Sequence, residues 1–283
     1  MIALTNVLNF TNSTYLRNNV VDFRFKITQY NMQSLDIYLV QTNLVWENAI
    51  SNLTRLNWHI QQAHEGSMVV LPEMFATGFT MNPEEHAQKM DGEAVEWMKI
   101  ASSNKLICGS LAIEENGQFY NRFLAVYNGE IVHQYNKNHL FSYGNEHEHY
   151  EAGEESTTFD FNGWEIAPFI CYDLRFPEQM RKLAGADLML FVANWPAARM
   201  KAWNTLLTAR AIENQCYVVG VNRVGDDGNG IKHSGHSQLL DFSGEYRVDP
   251  IENREQIVHV LIEKAPMLQF RERFPFLKDR KSL

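Results

Sequence analysis

Short apolar runs separated by turn residues dominate the pattern of hydrophobic and polar positions along the chain. They are five to nine residues long, which is typical of strands buried in a sheet. Asn-Gly pairs at 116–117, 128–129 and 162–163 lie between such runs, and because both residues tolerate positive φ they predict β-hairpins. The predicted strands are 35–40, 67–71, 105–113, 123–127, 131–135, 165–170 and 187–193.

Segments with helical spacing alternate with these strands. The predicted helices are 46–64, 92–104, 177–185 and 198–216. Hairpins mixed with strand-helix units, and strands apolar enough to be buried on both faces, indicate a layered α/β fold with mixed sheets.

The first 31 residues show neither pattern. They are rich in Asn and carry no sustained helical or strand period, so we expect 1–31 to be a poorly ordered extension. The domain is predicted to span 32–283. Its last segment, 264–283, contains the apolar and basic stretch MLQFRERFPFLKDR, and we expect this tail to pack on the domain or on a partner subunit.

Composition and charge narrow the class of protein. The chain has 283 residues, 45% of them hydrophobic, which suits one large domain with a sizeable core. A net charge of −9 and a pI near 5.6 argue against a nucleic-acid partner and favour a small-molecule substrate. Three cysteines with no CxxC pair, no apolar run of membrane-spanning length and no secretion signal predict a cytoplasmic protein without a membrane partner.

Three chemically distinct side chains follow predicted strands. Glu73 comes after SMVVLP, Lys137 after IVHQYN, and Cys171 directly after EIAPFI. Open α/β sheets gather their chemistry at such strand ends. Taken singly, each residue has a structural alternative: a solvated loop carboxylate, a surface lysine and an inert core thiol.

The surroundings of Cys171 favour a reactive thiol. The sequence CYDLRFPE carries an Asp, an Arg and a Glu directly after an apolar strand, and Pro177 stands where a helix would begin. A turn before a helix presents backbone N–H groups, which can favour a thiolate and later hold an oxyanion.

With these motifs the sequence resembles the nitrilase superfamily of carbon-nitrogen hydrolases, from about Leu35 to the C-terminus. The resemblance rests on LPEMF, YNKNHLF and ICYDLRFPE, whose Glu73, Lys137 and Cys171 are 64 and 34 residues apart. It implies a four-layer α-β-β-α sandwich, a Glu-Lys-Cys triad and a second, assisting glutamate. Glu146, seven residues before a glycine, fits that last role, although Glu148 lies only two residues away.

The segments HLFSYGNEHEHYEAG, ANWPAARMKAWNTLLTARAIENQCYVVGVNRVG and RERFPFLKDR resemble the omega-amidase branch, which hydrolyses the terminal amide of 2-oxoglutaramate and 2-oxosuccinamate. The resemblance further implies a homodimer and no cofactor. Two alternatives remain open: another activity of the superfamily, on a carbamoyl amine, deaminated glutathione or a nitrile, and a non-catalytic scaffold of the same fold.

Four further residues are candidates for substrate binding. The backbone N–H of Tyr172 would join Lys137 in an oxyanion hole. Arg175 could bind a substrate carboxylate, or instead form a structural pair with a carboxylate such as Glu178. Trp195 and Phe79 could line the pocket, with core packing as the alternative for both.

Alternating histidines raise the question of a metal site. They are His147, His149, His233 and His236, but their spacing matches no metal motif such as HExxH and the triad chemistry needs no metal, so none is predicted.

Overall fold

The computed structural model describes residues 33–281, which form two stacked β-sheets flanked by helices. The strands are β1 Ser34–Gln41, β2 Met68–Val70, β3 Leu106–Glu115, β4 Gln118–Tyr127, β5 Glu130–Asn136, β6 Phe159–Phe161, β7 Trp164–Ile170, β8 Leu188–Ala193, β9 Tyr217–Asn222, β10 Val224–Asp226, β11 Lys232–Leu240, β12 Tyr246–Glu252 and β13 Gln256–Glu263. The helices are α1 Ala49–Ile60, α2 Pro83–His86, α3 Glu93–Ala101, α4 Glu146–His149, α5 Pro177–Lys182, α6 Met200–Asn214 and α7 Lys264–Arg273.

Both sheets are mixed and share a parallel centre. In the first, of order β13-β1-β2-β3-β4-β5, the strands β1, β2 and β3 are parallel and the others antiparallel. In the second, of order β10-β11-β9-β8-β7-β6 with β12 beside β11, the parallel strands are β7, β8 and β9. The parallel strands are the most completely buried, as expected for strands covered on both faces.

Apolar side chains fill the space between the sheets and the space under the helices. Leu39 and Phe123 of the first sheet share one cluster with Phe169 and Phe191 of the second. A separate cluster joins the outer face of the first sheet to α1 and α3, while α6 covers the second sheet through Trp203 and Leu207. The four-layer α-β-β-α sandwich predicted from the sequence is thus confirmed.

The Asn-Gly hairpins form as predicted, and both residues of each pair have positive φ. The helices are shorter than the predicted segments because local caps end them. The Asn48 side chain accepts a hydrogen bond from the Ser51 N–H at 3.0 Å and starts α1. Gln215, with φ of 48°, ends α6.

The segment that follows β13 lies against the second sheet. Met267 of α7 is fully buried, Lys264 Nζ lies 2.6 Å from Asp187 Oδ2, and Arg271 Nε donates to the Gln215 carbonyl at 2.8 Å. The predicted extension, 1–31, lies outside the described residues. Within 33–281 no helix combines the length and apolarity needed to cross a bilayer.

The topology brings four strand ends together. Glu73 follows β2 by three residues and Lys137 directly follows β5, both in the first sheet. Cys171 directly follows β7 and Asn194 directly follows β8, both in the second sheet. The site is therefore assembled from residues of both sheets, which pack face to face.

Candidate active site

Glu73 is a completely buried carboxylate that accepts three hydrogen bonds. Its Oε1 accepts from Lys137 Nζ and from Asn121 Nδ2, each at 2.8 Å, and its Oε2 accepts from the Asn194 backbone N–H at 2.8 Å. The Asn194 side chain also donates to the Glu73 backbone carbonyl at 2.6 Å. Glu73 is thus fixed in position from both sheets, and the solvated-loop alternative is wrong.

Lys137 is an ammonium with no exposure to solvent. Its Nζ donates to Glu73 Oε1 at 2.8 Å and to the two oxygens of Glu146 at 3.0 and 2.9 Å, and it lies 5.1 Å from the centre of the Phe79 ring. Burial alone would lower the pKa of Lys137, but the Glu146 and Glu73 carboxylates outweigh it and raise the pKa above its ordinary 10.5. Lys137 is therefore a permanent cation at neutral pH.

The structure distinguishes Glu146 from Glu148, the two candidate glutamates between Lys137 and Cys171. Glu146 is fully buried at the start of α4 and accepts from the Phe141 N–H at 2.6 Å, while Glu148 is exposed. Burial raises the pKa of Glu146, and the Lys137 ammonium only partly offsets this. Glu146 is the residue that joins the buried polar cluster.

Cys171 lies at a strained turn between β7 and a 3-10 turn at Cys171–Arg175. Its φ of 45° is a left-handed conformation that costs a non-glycine residue about 1 kcal/mol or more. The side chain is 9% exposed and opens on the pocket described below. Burial and the Glu73 carboxylate raise the pKa of Cys171 well above its ordinary value, against the opposing effect of Lys137 and the Asn194 N–H. Its resting form is a neutral thiol beside a carboxylate base.

A buried aspartate holds this turn in place. Asp173 Oδ2 accepts from the Tyr135 hydroxyl at 2.8 Å and from the Ile170 N–H at 3.0 Å, and Oδ1 accepts from the His139 N–H at 3.0 Å. These bonds connect the turn that carries Cys171 to β5 and to the segment after it. Asp173 thereby couples the position of the thiol to that of Lys137.

Two asparagines of the site were not identified from the sequence. Asn121 lies within β4 and donates from one amide nitrogen to both Glu73 at 2.8 Å and Glu146 at 3.1 Å. Asn194 contacts Glu73 through backbone and side chain, and its only sequence signal is a polar residue directly after a fully buried strand. Asn121 lies outside the predicted strand 123–127 and carried no local signal.

Lys137 and Cys171 line a small cavity of about 110 Å³, and Glu73 lies behind them, hydrogen-bonded to Lys137. Phe79, Tyr172, Arg175 and Trp195, which were predicted to bind substrate, all line it. Arg175 stacks over the Trp195 ring at 5.0 Å and, in the described part of the chain, forms no ion pair with Glu178. Lining residues that the sequence analysis did not single out include Met81, Phe141, Arg199, Asp227, Asn229 and Ile231.

Arg199 is a second cation at this cavity. Its guanidinium lies 5.0 Å from the centre of the Phe141 ring, and its backbone carbonyl accepts from Trp195 Nε1 at 3.0 Å. The pocket therefore presents two guanidinium groups besides the buried ammonium, which suits a small anionic ligand.

His233 lines the same cavity in neutral form. It is 6% exposed, and burial, with a smaller effect of Arg223, lowers its pKa to about 4. Its Nδ1 is buried and has no hydrogen-bond partner among residues 33–281.

The histidines considered for a metal site are divided between two elements. His147 and His149 lie on α4 rather than on a strand, and His233 and His236 on β11. In the described residues they belong to no group of three converging ligand atoms, whereas Asp36, His64 and His259 do.

Together these groups have the parts needed for nucleophilic substitution at a carbonyl. A thiol lies beside a fixed carboxylate base, and a buried ammonium lies beside that base, at the end of a cavity lined mostly by apolar and aromatic side chains. The arrangement can accept a proton, form a bond to carbon and stabilise negative charge on oxygen.

Comparison with known proteins places the chain among hydrolases of carbon-nitrogen bonds. A family model described as carbon-nitrogen hydrolase matches residues 37–271. Omega-amidase YafV of Yersinia enterocolitica is 42% identical over 250 residues, which cover 88% of this chain and 97% of that protein. The 2-oxoglutaramate amidase of Bacillus subtilis (strain 168) is 34% identical over 87% of this chain and 98% of its own length.

A solved structure agrees with the same assignment. XC1258 from Xanthomonas campestris, described as a CN-hydrolase superfamily protein with an arsenic adduct in the active site, superimposes with a TM-score of 0.86. It is 39% identical, and the match covers 89% of this chain and 99% of that one.

Proposed function

The chain belongs to the carbon-nitrogen hydrolase family, and from this premise we propose that it is an omega-amidase that releases ammonia from the terminal amide of 2-oxoglutaramate and 2-oxosuccinamate. The observation that carries the proposal is that Cys171 and Lys137 line one small cavity while the buried Glu73 carboxylate bonds to Lys137 and lies beside the thiol. Similarity to YafV and to a 2-oxoglutaramate amidase over almost the full length of both proteins supports the choice of substrate.

The first half-reaction transfers the acyl group to sulfur. Cys171 Sγ attacks the amide carbon while its proton passes to Glu73, which suits a thiol whose pKa is raised and which therefore loses its proton only as the new bond forms. The tetrahedral intermediate collapses as Glu73 returns that proton to the departing nitrogen. Ammonia leaves, and a thioester remains on Cys171.

The second half-reaction hydrolyses this thioester. A water molecule takes the position vacated by ammonia, and Glu73 accepts one of its protons as the oxygen attacks the thioester carbon. The carbon-sulfur bond then breaks, the proton goes to Cys171 Sγ and the dicarboxylic 2-oxo acid leaves. Glu73 ends each cycle ionised, as it began.

Lys137 and the backbone N–H of Tyr172 stabilise the oxyanion in both half-reactions. Such a donor typically lowers the barrier by about 3 to 4 kcal/mol. Glu146 holds two of the hydrogen bonds of the ammonium, so that Lys137 is oriented before substrate arrives. Glu146 is thus a positioning residue for Lys137.

Arg175 and Arg199 are proposed to bind the carboxylate at the far end of the substrate. Both line the cavity, and each is held by an aromatic ring about 5.0 Å away, Trp195 for one and Phe141 for the other. Guanidinium groups form bidentate bonds with carboxylates, so a pair of them favours an acidic amide over a neutral one.

The test is ammonia release from 2-oxoglutaramate by wild type and by Cys171→Ala, with Cys216→Ala as the matched control. Cys216 is fully buried among apolar side chains outside the cavity, and burial raises its pKa to about 12. We expect activity in wild type and Cys216→Ala and none in Cys171→Ala. Intact mass of the wild type quenched during turnover should show an acyl adduct on Cys171.

A panel of substrates separates the proposal from its rivals. Preference for a carbamoyl amine, deaminated glutathione or a nitrile over both 2-oxo acid amides would contradict the omega-amidase assignment while leaving the thiol mechanism in place. Absence of turnover and of any acyl adduct with the whole panel would support the non-catalytic scaffold instead.

A further inference from the structure

A second group of chemically capable side chains lies on the outer face of the first sheet. Asp36 is on β1, His259 on the neighbouring antiparallel strand β13, and His64 on the turn that follows α1. Leu35 and Ile37 face the core between the sheets, so Asp36 faces the opposite side, as strand alternation requires. The group is distinct from the cavity that contains Cys171.

Three ligand atoms converge in this group. His259 Nε2 lies 2.5 Å from Asp36 Oδ1, His64 Nε2 lies 3.4 Å from the same oxygen, and all three atoms are within 4.8 Å of one another. Tyr38, paired with His259 across the two strands, stacks on its ring with 4.7 Å between ring centres. The cluster is therefore ordered by the sheet register and by an aromatic contact.

The orientation of the His64 ring suits a metal ligand. His64 Nδ1 lies 3.1 Å from the Glu65 carbonyl oxygen, which can only accept a hydrogen bond, so Nδ1 is the donor of this contact. This contact turns Nε2 towards Asp36, where it lies 3.4 Å from Oδ1. A cation at this point, a proton or a metal ion, is held between the ring and the carboxylate.

We propose that Asp36, His64 and His259 bind one Zn²⁺ ion, with water as the fourth ligand. Zinc takes imidazole nitrogen and carboxylate oxygen at about 2.0–2.2 Å in a tetrahedron, which separates ligand atoms by about 3.3–3.5 Å. The 3.4 Å between His64 and Asp36 matches this spacing, whereas His259 Nε2, now 2.5 Å from Asp36 Oδ1, has to move away from that oxygen by about 1 Å to bind the same ion. The bond from His64 Nδ1 to a backbone carbonyl is the outer contact typical of zinc-bound histidine.

The proposed zinc site is accessible to solvent and lies far from the cavity that contains Cys171. The Asp36, His64 and His259 side chains are 29%, 49% and 44% exposed, so an ion can enter without rearrangement of the core. Asp36 is near the amino end of β1, whereas Glu73 lies beyond the carboxyl end of the parallel strand β2. Bound zinc would link β1, β13 and the end of α1, and we expect it to stabilise the fold without contacting substrate.

The experiment is a calorimetric titration of tag-free protein with ZnCl₂. It is done in the Cys171→Ala background, because the active-site thiol could bind zinc by itself. We expect saturable binding of one zinc per chain and a higher melting temperature with zinc. His64→Ala and His259→Ala should each weaken the affinity by about tenfold or more.

Two variants complete the design. Asp36→Asn keeps the shape of the site, removes its charge and should also weaken binding. His86→Ala is the matched control, because His86 pairs with Glu47 at 3.2 Å and no third ligand atom converges on this pair within 33–281, and it should bind zinc as the parent does. Co²⁺ in place of zinc should give the visible absorption of a tetrahedral site, lost in His259→Ala.

The outcomes that overturn the proposal are equally definite. No saturable zinc binding, or binding that survives both His64→Ala and His259→Ala, would reduce the group to a hydrogen-bonded Asp-His cluster. Melting of the metal-free variants establishes that each one is folded before its affinity is compared. None of these measurements depends on amidase activity, so failure of the proposed function leaves this test intact.

Discussion

The Lys137 ammonium donates to Glu73 Oε1 at 2.8 Å across 64 residues of sequence, and both side chains are completely buried. Both oxygens of Glu146 accept from the same ammonium. Two carboxylates and one cation thus share a region from which water is excluded, and each group depends on the others to remain charged there.

Removal of the cation should be costly for stability. Lys137→Met leaves two buried carboxylates facing each other, and breaking a buried pair in this way typically lowers the free energy of unfolding by about 3–5 kcal/mol. Urea denaturation measures this loss. Lys137→Met combined with Glu146→Gln should recover part of it, because one uncompensated charge is removed. A double variant no more stable than Lys137→Met would contradict the electrostatic explanation.

Removal of the Asn121 amide, which donates to both Glu73 and Glu146, should change the pH dependence of turnover. Asn121 donates to both carboxylates, so Asn121→Ala removes hydrogen bonds that favour their ionised forms and should raise further the pKa of Glu146, which burial already raises. The acid limb of kcat/KM should move to higher pH. Asn57→Ala removes an amide of the same kind that contacts only Trp97 on the surface, and its profile should match wild type.

The two cavity guanidinium groups should govern affinity for an anionic substrate. Arg175→Met and Arg199→Met each remove a charged donor, which is worth about 1.5 kcal/mol or more, so KM for 2-oxoglutaramate should rise about tenfold. A neutral amide of similar size should show little change. Arg55→Met, which removes an exposed pair with Glu255, is the control. Equal losses for both substrates would contradict the assignment.

His233 should make the protein sensitive to mild acid. Its pKa is lowered to about 4 in the folded state from 6.5, so between these values the unfolded chain binds more protons than the folded one. Stability is then present above pH 6.5 and is lost as the pH falls towards 4, by about 2 kcal/mol between pH 7 and pH 5. Urea denaturation at both pH values should show this loss, and His233→Asn should lose correspondingly less.

Much of the fold was accessible from local sequence signals. The hairpins at Asn116, Asn128 and Asn162 depend only on neighbouring residues, and all three form. The strands from β10 to β13 were not predicted, because their apolar residues are sparse and several positions of β12 and β13 are exposed at sheet edges. The three-residue β6 and the buried β9 were not predicted either. The homodimer and the poorly ordered extension at 1–31 stay predictions.

The residues of the candidate site also differ in whether local sequence signals predict them. Glu73, Lys137 and Cys171 each carried a strand-end signal, and the fold brings them together. Asn121 and Arg199 carried no such signal, since a strand-interior asparagine and a helix-proximal arginine gain meaning only from what packs opposite them. The roles of these two residues depend on contacts with residues that are distant in the sequence, so no local sequence pattern predicts them.

The division of the candidate active site between two sheets has a consequence for how activity is acquired during folding. One sheet contributes Glu73 and Lys137, and the other contributes Cys171 and Asn194. A refolding chain could complete every strand and helix and still be inert until the two halves dock. After dilution from denaturant, the recovery of enzymatic activity therefore reports when the two sheets dock. It should lag behind the recovery of the circular dichroism signal, which reports secondary structure.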